Sequence, residues 1–370
     1  MKKKFIQDSF LLFSLGVFSS LSLPPLNFFL INFLTFSVFF VFLFKKLSTE
    51  INKKISFYYG WLFGFGYFLT NLYWITISLT FDKNFSFLIP ITFILVPAFL
   101  SIFYGLVTLI FYLFNFKNTI SAFFLFSLLF GLTEFIRGNI LTGFPWNLLI
   151  YSFSENLSFI SFISIIGTYS FNLIIISFFT APAIYILRKS KSEIVVCTLL
   201  LLLPIIFLSY GSFYKEKFLN KEIKKNPYVI RVIGSNVSLN RFFDNTQTEL
   251  IIEELIKLSQ PEKNKRIFFL WPEEIIPSTY QDELYLYNDL FTENFDENHL
   301  IGLGITSRKL NDNDNRYFNS FSVFDNNLKL ISNYNKINLV PFGEFLPFEN
   351  FLSKIGLKAI TNNFGSFTKG

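Results

Sequence analysis

Residues 86–114 read SFLIPITFILVPAFLSIFYGLVTLIFYLF and contain no charged side chain. A run of about 20 apolar residues is long enough to cross the ~30 Å hydrocarbon core of a bilayer as an α-helix. Because this stretch is longer than that and no charge interrupts it, it predicts a transmembrane helix. The chain is therefore expected to be an integral membrane protein.

Six further hydrophobic segments lie in the first 210 residues. The seven predicted spans lie near 9–23, 27–44, 57–80, 86–114, 119–135, 157–187 and 193–210. Overall, 52% of the residues are hydrophobic and only 16% are charged, which is too apolar for an ordinary soluble domain. No small-residue cleavage site follows the first segment, so it predicts an anchor and not a signal peptide. Residues 1–210 are thus predicted to form a polytopic α-helical membrane bundle of seven helices.

The basic residues between these segments predict the orientation of the chain. Eleven of them fall on one side, namely Lys2, Lys3, Lys4, Lys45, Lys46, Lys53, Lys54, Lys117, Arg188, Lys189 and Lys191, whereas the alternate loops hold only Lys83 and Arg137. The basic side of a membrane protein faces the cytoplasm. The N-terminus is therefore expected inside and residues 211–370 outside. Residues 211–370 are nearly neutral, with 19 basic and 20 acidic side chains, so no basic stripe for nucleic acid is expected.

The sequence holds one cysteine, Cys197, and one histidine, His299. A disulfide within the chain is therefore impossible, and a zinc site built from cysteine and histidine is excluded. No metal or cofactor is predicted. His299 lies in a polar stretch and is expected on the surface.

From Gly211 the sequence changes to a mixed polar pattern that predicts an α/β layered domain. Predicted strands lie at 228–233, 266–271, 300–305, 317–324 and 328–333, with Asp325-Asn326-Asn327 as the last turn. Predicted helices lie near 245–259 and 281–292.

Two motifs in this second part carry side chains suited to catalysis. The first is Trp271-Pro272-Glu273-Glu274-Ile275-Ile276-Pro277, where a carboxylate on a rigid turn after a strand is well placed to act as a general base. The second is YNKINLVPFGEFLP, residues 334–347, where the ammonium of Lys336 can stabilise an oxyanion and Glu344 can orient it. Taken singly, each motif is read more simply as ordinary surface acids and a surface lysine.

A third motif lies between the fifth and sixth predicted spans. Glu134 and Arg137 are three positions apart, so they share a helix face and can pair at the membrane boundary, ahead of Thr142-Gly143-Phe144-Pro145-Trp146. A structural ion pair and a role in lipid binding are equally compatible with this pattern.

Together these motifs resemble the apolipoprotein N-acyltransferase family over nearly the whole chain. The motifs that carry the resemblance are Gly60-Trp61…Gly64…Gly66, Arg137…Thr142-Gly143-Phe144-Pro145-Trp146…Tyr151-Ser152, WPEEIIP and YNKINLVPFGEFLP. The resemblance implies a membrane bundle, residues 1–210, followed by a nitrilase-like α-β-β-α sandwich, residues 211–370, on the periplasmic side of the bacterial inner membrane. It also implies transfer of an acyl chain from a phospholipid to the α-amino group of the N-terminal diacylglyceryl-cysteine of lipoproteins.

The same resemblance implies a Glu-Lys-Cys triad and a thioester intermediate. By motif, Glu273 corresponds to the general base, Lys336 to the oxyanion-stabilising lysine and Glu344 to an additional glutamate beside the site. The family's cysteine is expected several dozen residues beyond Glu344, whereas the sequence ends at Gly370, so the α/β domain is expected to be truncated. Cys197 lies within a predicted span and is expected to be inert.

One further departure is Ile233-Gly234-Ser235-Asn236, which stands where the family has Gln-Gly-Asn. Two alternatives to an incomplete enzyme remain: a non-catalytic remnant or split-gene fragment that needs a second polypeptide, and a transporter or scaffold. Few charges lie within the predicted spans, which disfavours the transporter.

Overall fold

The computed structural model describes residues 2–47, 52–80, 83–141, 143–222, 226–235, 248–276, 279–310, 315–341, 343–348, 354 and 366–370. The chain forms two compact units, residues 1–222 and 223–370. The first unit extends past residue 210 because its last helix continues to Leu219.

All the regular secondary structure in the described part of the first unit is helical. Its α-helices are α1 (Lys2–Ser20), α2 (Ile31–Leu47), α3 (Lys53–Asn71), α4 (Ile89–Phe114), α5 (Thr119–Asn139), α6 (Leu157–Ile160), α7 (Ile163–Ile166), α8 (Thr168–Ile186) and α9 (Lys191–Leu219). Short 3₁₀ helices occupy Tyr73–Thr80, Lys83–Leu88 and Leu149–Phe153.

Four of these helical segments are long and apolar enough to cross a membrane: 86–114, α5, α8 and α9. A fifth candidate is the pair formed by α3 and the 3₁₀ helix 73–80, whose axes are bent by 47°. This count applies to the described residues, and seven membrane spans stay a prediction. The chain is thus a multi-pass membrane protein, although the predicted single segments 57–80 and 157–187 are each interrupted.

The interruptions have local causes. At the end of α3 the backbone leaves the α-helical conformation at Leu72, and a tighter 3₁₀ turn follows. In the segment 157–187 the Asn156 side chain caps α6, and Gly167 adopts a φ of +79° before α8 begins. Glycine adopts such a positive φ readily, and a side chain there would strain the backbone.

Helix α3 packs against both α1 and α4, and α8 packs against α2, α5 and α9. Two glycines of α3 make the close approach possible. A Cβ atom on Gly60 would collide with the Tyr104 carbonyl oxygen of α4, and one on Gly66 would collide with the Phe13 carbonyl oxygen of α1. Small residues at helix contacts are the usual means of close packing in membranes, because apolar side chains gain nothing from leaving lipid.

A buried ion pair lies among these helices. Arg137 donates to Glu134 Oε2 from Nε, at 2.9 Å, and from Nη2, and it also donates to the backbone oxygens of Phe144, at 2.6 Å, and Trp146, at 2.9 Å. The other carboxylate oxygen of Glu134 accepts from the Tyr104 hydroxyl at 2.6 Å. The pair thus fixes the 144–146 segment to α5 and joins α5 to α4.

The second unit contains a five-stranded mixed sheet in its described part. Its strands are β1 (Val229–Val232), β2 (Ile267–Leu270), β3 (His299–Lys309), β4 (Arg316–Phe324) and β5 (Leu330–Asn335), and they lie in the order β1-β2-β3-β4-β5. Strands β1, β2 and β3 are parallel, and the β3–β4 and β4–β5 pairs are antiparallel.

Two helices, α10 (Thr248–Ser259) and α11 (Asn288–Asn294), belong to the core of this unit, and a 3₁₀ helix, Gln281–Tyr287, precedes α11. The apolar face of α10, with Ile252 and Leu255, packs with Phe269 of β2 and Leu303 of β3. The unit is therefore a partial α/β domain, as predicted. The expected helix at 281–292 begins as a 3₁₀ helix, β3 is longer than expected, and residues 245–247 of the expected first helix lie outside the described residues.

We predict that Arg137→Met destabilises the bundle by about 3–5 kcal/mol, because it leaves the Glu134 carboxylate buried without a cation. The double variant Glu134→Leu/Arg137→Met should lose less, because neither charge then remains. Unfolding of the purified chain in mixed detergent micelles, followed by circular dichroism, gives the comparison.

Lys117→Met is the matched control, because Lys117 is exposed just before α5. A single Arg137→Met variant as stable as this control would contradict the structural importance of the ion pair.

Candidate functional site

Glu273 lies in a turn that β2 and β3 hold in place. Trp271, directly after β2, is buried, its backbone N–H donates to the Gly302 oxygen of β3 at 2.8 Å, and its indole N–H donates to Ser259 Oγ at 2.9 Å. The turn then crosses β3 at Gly304, where a Cβ atom would lie 2.6 Å from the Glu273 Cα. Glycine at this position therefore permits the close approach of the two backbones, and Glu273 lies at the carboxyl end of β2.

Lys336 follows the last residue of β5. Its backbone N–H donates to the Asn319 oxygen of β4 at 2.8 Å, and its own oxygen accepts from the Gly370 N–H at 3.0 Å. Glu344 lies in the turn beyond, where its Oε2 accepts from the Val340 N–H at 2.7 Å and its backbone oxygen accepts from the Phe367 N–H at 2.7 Å. Backbone hydrogen bonds thus position both side chains.

The three predicted residues meet in one cluster. Lys336 Nζ lies 3.3 Å from Glu273 Oε1 and 2.8 Å from Glu344 Oε1. Glu273 and Lys336 are 63 positions apart in the sequence, and the fold makes them neighbours. The catalytic roles of the three residues stay a prediction.

Asn319 is a fourth member of the cluster, and sequence reasoning missed it. Its Nδ2 donates to Glu273 Oε1 at 2.7 Å and to Glu344 Oε1 at 2.6 Å, so each carboxylate receives one donor from Asn319 and one from Lys336. Its side chain is buried in the middle of β4. The sequence could have indicated it, because a polar residue occupies a strand position that faces the interior. Buried polar groups need hydrogen-bond partners.

The members differ in their access to solvent. The side chain of Glu273 is 63% exposed, that of Lys336 is 31% exposed and that of Glu344 is 14% exposed. Glu273 is therefore the carboxylate that an incoming group can reach. Glu344 accepts from the Lys336 ammonium on the side away from solvent.

The pKa shifts follow from these contacts. Partial burial lowers the pKa of Lys336, but the hydrogen bond to Glu344 and the charges of Glu273 and Glu344 outweigh it, so this pKa is raised. Burial raises the pKa of Glu344, and the hydrogen bonds from Lys336, the Val340 N–H and Asn319 outweigh it, so this pKa is lowered. At neutral pH the site thus holds a charged ammonium beside a charged carboxylate, the state needed to stabilise a developing oxyanion.

Two other sequence predictions have separate outcomes. His299 is not on the surface: it is fully buried at the start of β3, where its ring packs against Phe269 and Phe295. Its Nδ1 accepts from the Asp296 N–H at 3.0 Å, and its Nε2 lies 3.1 Å from the Glu262 oxygen, so the ring bridges backbone groups.

Cys197 is buried in α9 of the first unit. Within the described residues, no group of three or more His, Cys, Asp or Glu side chains is arranged to hold a metal ion.

Fold and site together define a class: a multi-pass membrane protein with a partial α/β domain that carries a carboxylate–ammonium–carboxylate cluster. Residues 15–181 match the family model described as the apolipoprotein N-acyltransferase N-terminal domain. Two relatives named apolipoprotein N-acyltransferase match nearly the whole chain. The protein from Brucella melitensis is 28% identical over 96% of this chain and 68% of its own length, and the protein from Rhizobium leguminosarum is 29% identical over 97% and 70%. The chain is a homologue of the apolipoprotein N-acyltransferases.

We predict that Lys336→Met raises the pH at which the Val340 amide loses its protection from hydrogen exchange. The pKa of Glu344 in the folded chain is lower than the ordinary glutamate pKa of 4.5. The ionised carboxylate therefore contributes its full stabilisation above pH 4.5, and this stabilisation is lost as the pH falls through the folded-state pKa. Removing the ammonium raises the folded-state pKa of Glu344 toward the ordinary value. The Val340 amide, which donates to Glu344, reports this loss by hydrogen exchange, expressed as a protection factor at each pH.

Lys329, an exposed lysine directly before β5, provides the control, and Lys329→Met should leave the midpoint unchanged. Equal midpoints in wild type and Lys336→Met would show that the ammonium does not stabilise the Glu344 carboxylate.

Proposed function

We propose that this chain carries the general base and the oxyanion-stabilising lysine of an acyl-transfer site. The acyl donor is a phospholipid, and the acceptor is the α-amino group of the N-terminal diacylglyceryl-cysteine of a lipoprotein. The observation that supports this most directly is the Lys336 ammonium held between Glu273 and Glu344, in a chain homologous to N-acyltransferases.

In the first half of the proposed reaction, the exposed Glu273 carboxylate takes the proton of a thiol. The thiolate adds to the ester carbonyl of the phospholipid, and Lys336 stabilises the oxyanion that forms. The ester C–O bond then breaks, the acyl chain remains as a thioester, and the leaving lysophospholipid oxygen receives the proton from Glu273.

In the second half, the acceptor amine attacks the thioester carbon. Glu273 removes a proton from the amine, the C–S bond breaks, and the thiolate regains a proton as the amide forms. Glu344 and Asn319 act by positioning, because both hydrogen-bond the groups that do the chemistry. The thiol is proposed to come from a cysteine that the 370 residues do not contain, since Cys197 lies in α9 of the other unit.

We propose that residues 211–370 lie on the periplasmic side of the bacterial inner membrane. The support is the split of eleven basic loop residues against two in the sequence. A reporter that is active only outside the cytoplasm should give signal when fused after Asn220 and should be silent when fused after Lys191. The reverse result would overturn the orientation.

We predict that the chain alone forms no thioester with a labelled phospholipid. A hydroxylamine-sensitive adduct should appear when a cysteine-bearing segment from a relative is supplied by fusion. In that fusion, Glu273→Gln and Lys336→Met should each lower labelling by about 100-fold or more, because one loses the base and the other the oxyanion contact.

Glu293→Gln and Lys329→Met change exposed side chains of the same types and should retain labelling. An adduct on Cys197, abolished by Cys197→Ser, would contradict the assignment of the nucleophile. Persistent absence of labelling in the fusion would favour a non-catalytic chain that acts with a second polypeptide.

A further inference from the structure

A ladder of polar side chains lies behind the carboxylate–ammonium–carboxylate cluster, on the other face of the sheet. Asn319 of β4 and Lys336, just beyond β5, point to the face that carries the cluster. Because successive residues of a strand point to opposite faces, their neighbours Ser320 and Asn335 point to the other face. Six side chains form this polar ladder: Gln281, Ser307, Ser320, Ser322, Asn333 and Asn335.

Asn335 is the centre of the polar ladder. Its Oδ1 accepts from Ser320 Oγ at 2.9 Å and from Asn333 Nδ2 at 2.8 Å. The hydroxyl oxygens of Ser320 and Ser307 lie 2.6 Å apart, which joins β5 through β4 to β3. Since Asn335 directly precedes Lys336, these hydrogen bonds hold the strand end from which the ammonium extends.

The other end of the polar ladder reaches the segment that follows Glu273. Gln281, the first residue of the 3₁₀ helix, donates from Nε2 to Ser322 Oγ at 2.6 Å and to Asn333 Oδ1 at 2.8 Å. The Ser322 hydroxyl in turn donates to Asn333 Oδ1 at 2.8 Å. The polar ladder thus joins the chain segments that supply the cluster, namely the stretch after the Glu273 turn, β4 and β5.

The polar ladder occupies positions at which apolar side chains would suffice for stability. Ser320 and Ser322 are buried, and they pair with Ile305 and Leu303 of β3, whose side chains belong to the core of this unit. Replacing buried hydrogen-bonded partners by apolar groups of the same shape is often nearly neutral for stability. The best-attested role of buried polar groups is instead to specify one register.

The register of β4 and β5 is not set by their connecting turn alone. The pairing shifts by one residue between Val323 and Phe324, which leaves Ile331 of β5 as a bulge between the turn and the cluster. A slip of one residue on the cluster side of this bulge would turn the Lys336 side chain to the opposite face of the sheet. The ammonium would then be lost from the cluster.

We propose that the polar ladder positions the Lys336 ammonium between the two carboxylates, with Asn335 as the principal positioning residue. Without the Asn335 acceptor, the end of β5 is free to shift, and Lys336 Nζ loses its 2.8 Å contact with Glu344. The proposal concerns the position of the ammonium and does not depend on acyl transfer, so absence of labelling in the fusion would leave it unaffected.

The test measures the pH at which the Val340 amide loses its protection from hydrogen exchange, with the full chain in mixed detergent micelles. This midpoint follows the Glu344 carboxylate, which accepts from both Val340 and Lys336. Asn335→Leu should raise the midpoint by about half or more of the shift that Lys336→Met produces. Ser320→Ala removes one donor to Asn335 with little change in volume and should raise the midpoint by less.

The double variant Asn335→Leu/Lys336→Met separates positioning from general destabilisation. Because Asn335 acts through the ammonium, the double variant should have the same midpoint as Lys336→Met alone. A structural role without positioning would add a further rise. Asn294→Leu and Ser332→Ala change exposed side chains of the same types and should keep the wild-type midpoint.

A wild-type midpoint in Asn335→Leu, or a further rise in the double variant, would overturn the proposal. If Asn335→Leu does not fold, Ser320→Ala alone and in combination with Lys336→Met gives the same comparison. An unchanged midpoint in Ser320→Ala would then overturn the proposal.

Discussion

The arrangement of the second unit depends on one constraint: two carboxylates, those of Glu273 and Glu344, lie close enough to accept from the same ammonium and the same amide. Two like charges at this separation repel unless a cation and donors lie between them. Lys336 and Asn319 supply both. The sheet brings these groups together, because the turn after β2, the middle of β4 and the end of β5 all meet at one place.

The first unit contains a cation that, unlike Lys336, is buried. The guanidinium of Arg137 is buried, and its donors are used by Glu134 and by the backbone oxygens of Phe144 and Trp146. Four of the five N–H donors of the guanidinium are used in this way, so the group is committed chiefly to holding α5 and the 144–146 segment together. Lys336, by contrast, keeps a solvent-facing side and an exposed carboxylate beside it. This difference in access to solvent distinguishes the buried Glu134–Arg137 pair from the cluster of Glu273, Lys336 and Glu344.

The sequence predicts a membrane bundle followed by an α/β domain, and it predicts Glu273, Lys336 and Glu344, because apolar runs and Pro/Gly-rich motifs are local signals. What it did not predict depends on tertiary contacts. Asn319 gains its importance only when β4 lies between two carboxylates that are distant in sequence. The bend after α3 and the late start of α8 interrupt segments that contain no charged side chain, so hydropathy alone does not reveal them. His299 was expected on the surface because its neighbours are polar, yet the β3 register turns its ring into the core.

The buried position of His299 has a consequence for proton movement. It is the sequence's only imidazole, and its two ring nitrogens face the backbone groups of Asp296 and Glu262. Histidine is the side chain best suited to carry protons near neutral pH. Because that group holds a strand and a loop together, any proton exchange at the cluster of Glu273, Lys336 and Glu344 would involve carboxylates, the ammonium and solvent.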